Sequence, residues 1–317
     1  MTEDKETVKI LSRINEFTDL SHYCEGINQG IITTGDKIFM LQGEINGEVF
    51  TGFSEELGKS ISIESKAVKP VLKGEDIQRY SPISTNRFVI YLHYLKGSKT
   101  IPYKESYVKE NFPKTYEYLE NFKKELVEKK IKYKTNPDYW YSLHRSRELS
   151  ILEKPKKILT PQLQNKSSFT IDEEGLFIPD AGGYIVALKK EFQELSKALL
   201  GVLNSKLFYF FITKTSTPYN NNYYYFKTNY ILPFKLPNLS FDQQAIIGYL
   251  TQVIILLKKQ KGDKFDTICL TFEEIIDALV LEIYFGQEFK EEGISILEHS
   301  KTEFQILMVS NKHLDLD

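Results

Sequence analysis

Cysteine is scarce in this chain, and long apolar runs are missing. The two cysteines among 317 residues, Cys24 and Cys269, lie far apart and in no metal or redox spacing. This argues against a disulfide framework and favours a reducing compartment. No segment approaches the ~20 apolar residues of a membrane helix, and the polar start MTEDKETVK is not typical of a signal peptide. These absences predict a cytoplasmic protein with no membrane partner.

Patterns typical of catalysis are equally scarce. The five histidines are scattered, and His22 alternates with Cys24 without a second ligand pair, so no zinc site is predicted. The acidic residues at 172–174 fit a solvated turn, and Asp180 is not followed by the Asp/Glu-x-Lys pattern of a nuclease. No glycine-rich turn stands between a predicted strand and helix, as a nucleotide-binding loop would. The sequence therefore gives no positive evidence of an active site.

The distribution of charge, in contrast, is strongly uneven. The net charge is only -2, but residues 59–166 carry 23 basic and 12 acidic groups. Residues 1–58 carry 4 basic and 11 acidic groups, and residues 236–317 carry 7 and 14. A basic middle between acidic ends is expected of a chain that meets a polyanion with one part only. The alternative is that basic segments such as KKELVEKKIKYK at 123–134 are solvated helix surface.

The hydrophobic pattern predicts an α+β fold, in which a mixed β-sheet with peripheral helices is followed by a C-terminal helical tail. Ser240 with Gln243, and Thr271 with Glu274, each form a capping-box signature at the start of a tail helix. The tyrosine-rich segment 216–226 is predicted as a loop. Helices are predicted over 5–18, 113–130, 191–212, 240–258 and 268–285, and strands over 37–41, 48–53, 87–92, 156–161 and 183–188.

Six short blocks occur in a fixed order along the chain. They are QGIITTGDKIF at 29–39, KPVLKGEDIQRY at 69–80, Trp140 before LHRSRE, PKKILTP at 155–161, IPDAGGY at 178–184 and LGVLNSK at 200–206. In order and spacing, these blocks resemble the TaqI-like C-terminal specificity domain of bacterial adenine-N6 DNA methyltransferases. The resemblance runs from roughly Leu20 to Pro237.

The resemblance implies a function in DNA recognition. It implies sequence-specific binding of double-stranded DNA for a restriction-modification or related phage-defence adenine-N6 methyltransferase, in the cytoplasm of a bacterium or archaeon. The expected organisation is an N-terminal helix over 1–19, a DNA target-recognition domain over 20–238, and a helical tail over 239–317 that docks to a methyltransferase domain. The absence of an internal repeat argues against a complete type I specificity subunit, which would carry two recognition domains.

The catalytic motifs of such methyltransferases are not found in this chain. Their loop for the flipped adenine reads Asn, Asp or Ser, then Pro-Pro and an aromatic residue. The nearest match is Asn136-Pro137-Asp138-Tyr139, in which Asp138 replaces the second proline, and a helix-ending turn is the simpler interpretation. The resemblance therefore implies no cofactor in this chain and S-adenosylmethionine in a partner methyltransferase domain or subunit. Whether the chain is part of a site-specific DNA methyltransferase or restriction enzyme stays open.

The candidate DNA-binding residues are cations and amides among aromatic residues. Arginine pairs with guanine and Asn or Gln with adenine, whereas lysine mostly contacts phosphate. For the first of five groups the role is implied by the resemblance alone. The groups are Lys69, Lys73, Gln78, Arg79 and Tyr80; Arg145 and Arg147; Lys154, Lys156 and Lys157; Gln162, Gln164, Asn165 and Lys166; and Asn220, Asn221, Asn222 and Tyr223.

Structural alternatives exist for most of these residues. Arg79 could instead form a structural corner by pairing with Glu75 or Asp76. The arginines after Trp140 could form an ion pair with Glu148. The segment 219–225 could be an irregular surface hairpin. LGVLNSK is interpreted as helix packing rather than as a contact. For the chain as a whole, three alternatives stay open: a nucleic-acid binder without sequence choice, an assembly subunit, and an unrecognised nuclease.

Overall fold

The computed structural model describes residues 5–260 and 262–310, and leaves out the side chains of Asn221 and residues 305–310. The helices are α1 Lys5–Ile14, α2 Asp36–Phe39, α3 Glu105–Asn111, α4 Pro113–Glu120, α5 Lys123–Lys132, α6 Leu149–Leu152, α7 Ser196–Asn204, α8 Lys206–Thr215, α9 Thr228–Ile231, α10 Phe241–Lys258, α11 Asp263–Tyr284, α12 Gly286–Glu291 and α13 Ile296–Ser310. The strands are β1 Thr18–Asp19, β2 Cys24–Gln29, β3 Met40–Asn46, β4 Val49–Ser54, β5 Lys59–Glu64, β6 Val68–Leu72, β7 Arg87–Ile90, β8 His93–Lys96, β9 Lys99–Pro102, β10 Lys157–Pro161, β11 Leu163–Gln164, β12 Thr170–Asp172, β13 Ile178–Pro179, β14 Gly183–Leu188, β15 Pro218–Tyr219, β16 Tyr223–Tyr225 and β17 Lys235–Leu236. This architecture confirms the predicted α+β class with a helical C-terminal region.

The centre of the molecule is an antiparallel sheet with the strand order β12-β10-β14-β2. The strands β10, β12 and β14 are buried on both faces, because a hydrophobic core lies on each side, whereas the edge strand β2 is partly exposed. In β14, Tyr184, Val186 and Leu188 face the first core, whereas Ile185 and Ala187 face the second. This alternation follows from the two-residue period of a strand. It explains why GYIVAL is apolar throughout rather than alternating with polar residues.

The first core joins the central sheet to the helices α1, α7, α8, α10 and α11. A Cβ atom on Gly201 of α7 would lie 2.6 Å from Cγ2 of Ile247 on α10, so glycine permits a close approach of these two helices. The Tyr284 hydroxyl of α11 donates to the carbonyl of Lys235 at 2.6 Å, and Ile14 of α1 packs in the same core. The predicted N-terminal helix, recognition region and tail thus share one core.

The second core lies under a mixed six-stranded sheet with the order β13-β6-β7-β3-β4-β5. Only the pair of β13 with β6 is parallel in this sheet; its other pairs are antiparallel. The helices α3 to α6 and Trp140 cover it, and Trp140 is 2% exposed. A short hairpin of β8 and β9 completes this half.

Three of the predicted elements have wrong boundaries. The strand predicted over 37–41 is mostly helical, since α2 ends at Phe39 and the strand β3 begins at Met40. The predicted helix 113–130 is interrupted, because the Asn121 side chain donates to the carbonyls of Glu117 and Tyr118 and closes α4. The predicted helix 5–18 already ends at Ile14.

The apolar segment 191–212 is likewise two helices rather than one. The Ser205 hydroxyl accepts the N–H of Phe208, so Ser205 caps a new helix, α8. Among the described residues, no single helix is long and apolar enough to cross a membrane. Residues 190–204 and 206–215 reach that length and composition only as a pair bent by 65°.

In the tail, one capping prediction is confirmed and the other is wrong. Ser240 and Gln243 form the predicted capping box at the start of α10. The second helix, α11, begins at Asp263, so Thr271 lies inside it and its hydroxyl donates to the carbonyl of Thr267. The segment 216–226, predicted as a loop, contains the paired strands β15 and β16.

Candidate nucleic-acid interface

The central sheet has two ends with different polar groups, and the register of its strands defines them. We call the end that carries Gln29, Gln162 and the backbone of 181–183 the amide end, because Pro161 pairs with Gly183 and Tyr184 with Gln29. We call the end that carries Lys157 and Asp172, which pair with each other, the lysine end. At ~3.3 Å per residue, the length of β10 separates the two ends by about 13 Å.

At the amide end, Arg147 binds the residues where β2 ends. Its Nε donates to the carbonyl of Gly30 at 2.8 Å, and its Nη2 donates to Oε1 of Gln29 at 3.0 Å. The amide of Gln29 in turn donates to the carbonyl of Ala181 at 2.8 Å and to Oε1 of Gln162 at 3.4 Å. Arg147 has φ +63°, a left-handed conformation that costs energy in a residue with a Cβ atom. Its side-chain bonds therefore hold the backbone in a strained arrangement.

A small sheet, β11-β16-β15, joins two segments that are far apart in the sequence. Leu163 pairs with Tyr225, and Tyr219 pairs with Tyr223 across the turn at 220–222. The N–H of Phe226 donates to the carbonyl of Gln162 at 2.8 Å, which attaches this sheet to the amide end. The predicted readout segments 162–166 and 220–223 therefore form one continuous surface.

The exposed groups of this small sheet are cationic, aromatic and amide side chains. Asn165, Lys166, Asn220 and Asn222 are exposed, and Tyr223 is partly exposed. The ammonium group of Lys227 lies 3.9 Å from the centre of the Tyr225 ring. Gln164 is a correction to the predicted set, because it is 5% exposed and its amide donates to Thr160 and accepts from the N–H of Ser168.

Five cations near the amide end have no carboxylate partner among the described residues, whereas Arg87, which lines a groove together with Lys73, pairs with Asp76 at 2.6 Å. Within the described residues, no carboxylate oxygen lies within 4.0 Å of the side-chain nitrogens of Lys73, Arg145, Arg147, Lys166 or Lys227. The alternative for these two arginines, an ion pair with Glu148, is therefore not found among the described residues. Burial, and to a lesser extent Arg145, lowers the pKa of Arg147. The sequence also contains no acidic residue between Glu194 and Asp242. A polyanion could thus approach this surface without displacing a carboxylate.

Carboxylates also lie beside this end: Asp180 and Asp36 line one groove, and Asp19 lines another together with Lys227. Asp180 accepts the N–H of Gly182 at 2.8 Å, and burial raises its pKa, with a contribution from Asp36. Asp180, Thr33, His144 and Arg145 line a groove of about 470 Å³ beside the amide end. Within the described part of the chain, no group of three or more His, Cys, Asp or Glu residues is placed to hold a metal ion.

At the lysine end, each predicted cation is paired. Lys154 pairs with Glu25, and Lys156 pairs with Glu194 at 2.7 Å. Lys157 pairs with Asp172 at 2.6 Å, and their side chains are 0% and 3% exposed. We therefore remove Lys157 from the predicted DNA contacts, since its ammonium group is enclosed in the core.

The block at 69–80 is mainly structural. Arg79 pairs with Glu273 of α11 at 2.7 Å and donates to the carbonyls of Ser167 and Asn204. Tyr80 is 1% exposed. The expected alternative, a corner fixed by Arg79, is thus closer to the structure than a base contact, although its partner is neither Glu75 nor Asp76. We remove Arg79 and Tyr80 from the predicted contacts.

The other residues of this block differ in their surroundings. Lys69 pairs with Glu153 at 2.5 Å. Gln78 is exposed and donates to the carbonyl of Glu75. Lys73 is exposed, and the next residue, Gly74, packs so closely on Gly182 that a Cβ atom would lie 2.7 Å from the Gly182 oxygen. Of this block, Lys73 is the residue that the fold brings to the amide end.

Sequence reasoning missed two residues of this surface, Gln29 and Lys227. Gln29 stands in the block QGIITTGDKIF at the end of a strand, where readout groups commonly lie. Lys227 follows directly on a run of aromatic residues. Both signals were available, but neither residue belongs to a cluster of cations or amides in the sequence.

Comparison with known proteins gives a family and a fold. The family model described as the TaqI-like C-terminal specificity domain matches residues 69–237. Among curated proteins, the type II restriction enzyme and methyltransferase RM.Eco57I of Escherichia coli is 25% identical over 229 residues, or 68% of this chain. Those residues cover 23% of RM.Eco57I, so the chain spans about a quarter of that relative.

Among solved structures, the type IIL restriction-modification enzyme MmeI in complex with DNA superposes with a TM-score of 0.53 and 12% sequence identity. The match covers 82% of this chain and 32% of MmeI. At this identity the likeness concerns the fold.

Proposed function

Since this chain belongs to the family of TaqI-like C-terminal specificity domains, we propose that it recognises a target sequence in double-stranded DNA for a restriction-modification enzyme. The contact surface of the proposal is the amide end of the central sheet together with the small sheet β11-β16-β15. It includes the arginines at 145 and 147, the segments 162–166 and 220–223, and the lysines at 73 and 227. Gln164, whose amide is enclosed, is left out.

One observation carries this proposal: cations that have no carboxylate partner in the described part of the chain lie around a row of amide side chains. Unpaired cations suit the phosphate backbone, whose contacts supply most of the affinity for DNA. Amide and guanidinium groups suit base edges, which supply the sequence choice. Aromatic residues such as Tyr219, which is 50% exposed, offer further contact area. A surface with all three kinds of group beside one another is expected of a specificity domain.

We also propose a partner that carries the catalytic function. RM.Eco57I, which is about four times as long as the region that it shares with this chain, is named as both restriction enzyme and methyltransferase. We therefore propose an adenine-N6 methyltransferase domain or subunit as the partner, with S-adenosylmethionine bound there, in a phage-defence system of the cytoplasm. Calorimetric titration of this chain alone with S-adenosylmethionine is expected to give no binding heat. Micromolar binding would contradict that division of roles.

The proposal is tested by selecting duplexes from a randomised DNA pool with the purified chain. We expect a defined motif, and binding that weakens as salt rises. Arg145→Ala should reduce affinity, because this exposed guanidinium has no carboxylate partner among the described residues. Lys156→Ala is the matched control, since Lys156 is a cation of the lysine end that is already paired with Glu194.

Each alternative function predicts a different outcome. Binding without a selected motif would indicate a general nucleic-acid binder. Absence of binding at low salt would indicate an assembly subunit. Cleavage of plasmid DNA that depends on a divalent metal ion would indicate a nuclease. Equal reductions of affinity for Arg145→Ala and Lys156→Ala would show that the amide end is not the contact surface.

A further inference from the structure

The amide group of Gln29 has one possible orientation. Its oxygen lies 3.0 Å from Nη2 of Arg147, which can only donate a hydrogen bond, and its nitrogen lies 2.8 Å from the carbonyl oxygen of Ala181, which can only accept one. Exchange of the two amide atoms would place donor against donor and acceptor against acceptor. Arg147 and the backbone at 181 thus fix the direction of Gln29.

The direction of Gln29 is transmitted to Gln162. The second hydrogen on Nε2 of Gln29 points to Oε1 of Gln162, 3.4 Å away. The oxygen of Gln162 is therefore the atom that faces the protein, and its NH₂ group faces away. Within the described residues, no protein acceptor lies within hydrogen-bonding distance of that NH₂ group. Gln162 is partly exposed, and the backbone on both sides is held by the Gly182 carbonyl and the N–H of Phe226.

From this geometry we infer that Gln162 is a specificity-determining residue that presents hydrogen-bond donors to an acceptor on a base edge, and that Arg147 and Gln29 are its positioning residues. The inference rests on the proposed function. It specifies that the base at one position of the DNA site must offer a hydrogen-bond acceptor. In the major groove, guanine presents N7 and O6, adenine presents N7, and thymine presents O4 as acceptors. Cytosine presents only its N4 amino group, a donor. The base facing Gln162 is therefore any base but cytosine.

The strained backbone supports a positioning role for Arg147. Arg147 has φ +63°, and its guanidinium forms no ion pair among the described residues. Its bonds go instead to Gln29, the last residue of β2, and to Gly30, which follows it. The energy stored at Arg147 thus serves the orientation of Gln29 and, through it, of Gln162.

The test is a comparison of base preferences from a randomised duplex pool. Gln162→Glu keeps the shape of the side chain but replaces donors by acceptors, so the preference at one position should change to cytosine, whose amino group a carboxylate can accept. Gln162→Ala should lose about tenfold discrimination at that position and leave the others unchanged. Gln193 lines a groove together with Lys154 of the lysine end. Gln193→Glu adds the same charge there, so it is the control and should leave every preference as it is.

The positioning residues are tested by the same readout. Arg147→Lys keeps the positive charge but loses the two-pronged bond to Gln29 and Gly30, so it should relax preference at the position that Gln162→Ala relaxes. Gln29→Leu removes the link while Arg147 stays. Thermal unfolding of each variant shows whether it is folded. A merely structural role would lower the melting temperature without changing the base profile at one position.

The outcomes separate the inference from the proposed function. If the unaltered chain selects no motif, the proposed function fails. If it selects a motif that Gln162→Glu and Gln162→Ala leave unchanged, the inference fails while the function stands. A uniform loss of affinity at all positions in Gln162→Ala would assign the side chain to a phosphate and overturn the inference as well.

Discussion

The two ends of the central sheet carry similar numbers of cations. These cations are paired with carboxylates at one end, and at the other they have no such partner among the described residues. At the lysine end, Lys154, Lys156 and Lys157 are paired with Glu25, Glu194 and Asp172. At the amide end, Arg145, Arg147 and Lys166 have no such partner among the described residues. A phosphate that approaches the lysine end must compete with a carboxylate already in place, whereas at the amide end it meets a free cation. Basic residues therefore indicate a nucleic-acid surface only where the fold leaves them unpaired.

Burial separates the two ends further. Lys157 and Asp172 are nearly fully enclosed. Burial lowers the pKa of Lys157, so the attraction to Asp172 offsets the desolvation cost of its charge only in part. At the amide end, Arg145 and Lys166 are exposed, so water and salt screen them, and Arg147 is only partly buried. We therefore expect changes at the lysine end to affect stability and changes at the amide end to affect DNA binding, and three predictions test this expectation.

The largest effect is expected from Asp172→Ala at the lysine end. The variant leaves the Lys157 ammonium group buried without a partner and removes the acceptor for the N–H groups of Gly175, Leu176 and Phe177. Breaking a buried ion pair costs about 3–5 kcal/mol. We expect a loss of unfolding free energy in that range in urea titration, with DNA affinity per folded molecule unchanged.

A double substitution provides the control for this prediction. Lys157→Met with Asp172→Leu replaces both charges by apolar groups, which is often close to neutral. It should recover the part of the loss that comes from the unpaired Lys157 charge, whereas the part that comes from the three N–H groups of residues 175–177 should remain. If Asp172→Ala is as stable as the original chain, the pair is not a structural element, and the comparison between the two ends loses its basis.

An intermediate effect is expected from Lys166→Ala with Lys227→Ala at the small sheet. For each phosphate that is no longer bound by a lysine, the slope of log affinity against log salt should fall by about 0.9. The pair should therefore weaken binding roughly tenfold or more at moderate salt. Lys154→Ala with Lys156→Ala removes the same charge from the lysine end and should leave the slope unchanged. Equal slopes for the two double variants would contradict the placement of DNA on the amide end.

The fold was predictable from sequence where the signal is local. The strands over 157–161 and 183–188 are continuous apolar runs, and a capping box at Ser240 begins α10. Boundaries failed where a side chain closes a helix early, as Asn121 does. The family was predictable as well, because six blocks occur in an order and spacing that resemble those of the family, although each block is short.

The distinction between the two ends was not predictable, because it depends on distant pairs. Lys154 and Glu25 are 129 residues apart in sequence, and Arg79 and Glu273 are 194 apart. Hydrophobic periodicity and local motifs say nothing about such partners. Lys157 and Arg79 were therefore predicted to contact DNA together with residues that the fold does leave free. Gln29 was missed, because its role comes from its bonds with Arg147 and Gln162.

The smallest effect is expected from Asp180→Asn, which removes one of the carboxylates beside the amide end. Burial raises the pKa of Asp180 above its ordinary value of 3.8, so the folded chain binds a proton more tightly than the unfolded chain. Stability from this group is complete below pH 3.8 and is lost as pH rises through the raised pKa. Asparagine still accepts the N–H of Gly182 but carries no charge to desolvate. The variant should therefore have a somewhat higher free energy of unfolding at neutral pH. That free energy should also fall less as pH rises, because the variant has no carboxyl group at this position to ionise.

The same substitution should strengthen DNA binding, because one negative charge leaves a surface that meets phosphates. For a single charge near a solvated surface we expect a gain of about two- to fivefold at low salt, decreasing as salt rises. Glu194→Gln is the control, since Glu194 pairs with Lys156 at the lysine end. Fluorescence anisotropy at several salt concentrations measures both variants. A gain for Glu194→Gln equal to that for Asp180→Asn would mean that net charge alone controls affinity, and that the two ends do not differ in their distance from DNA.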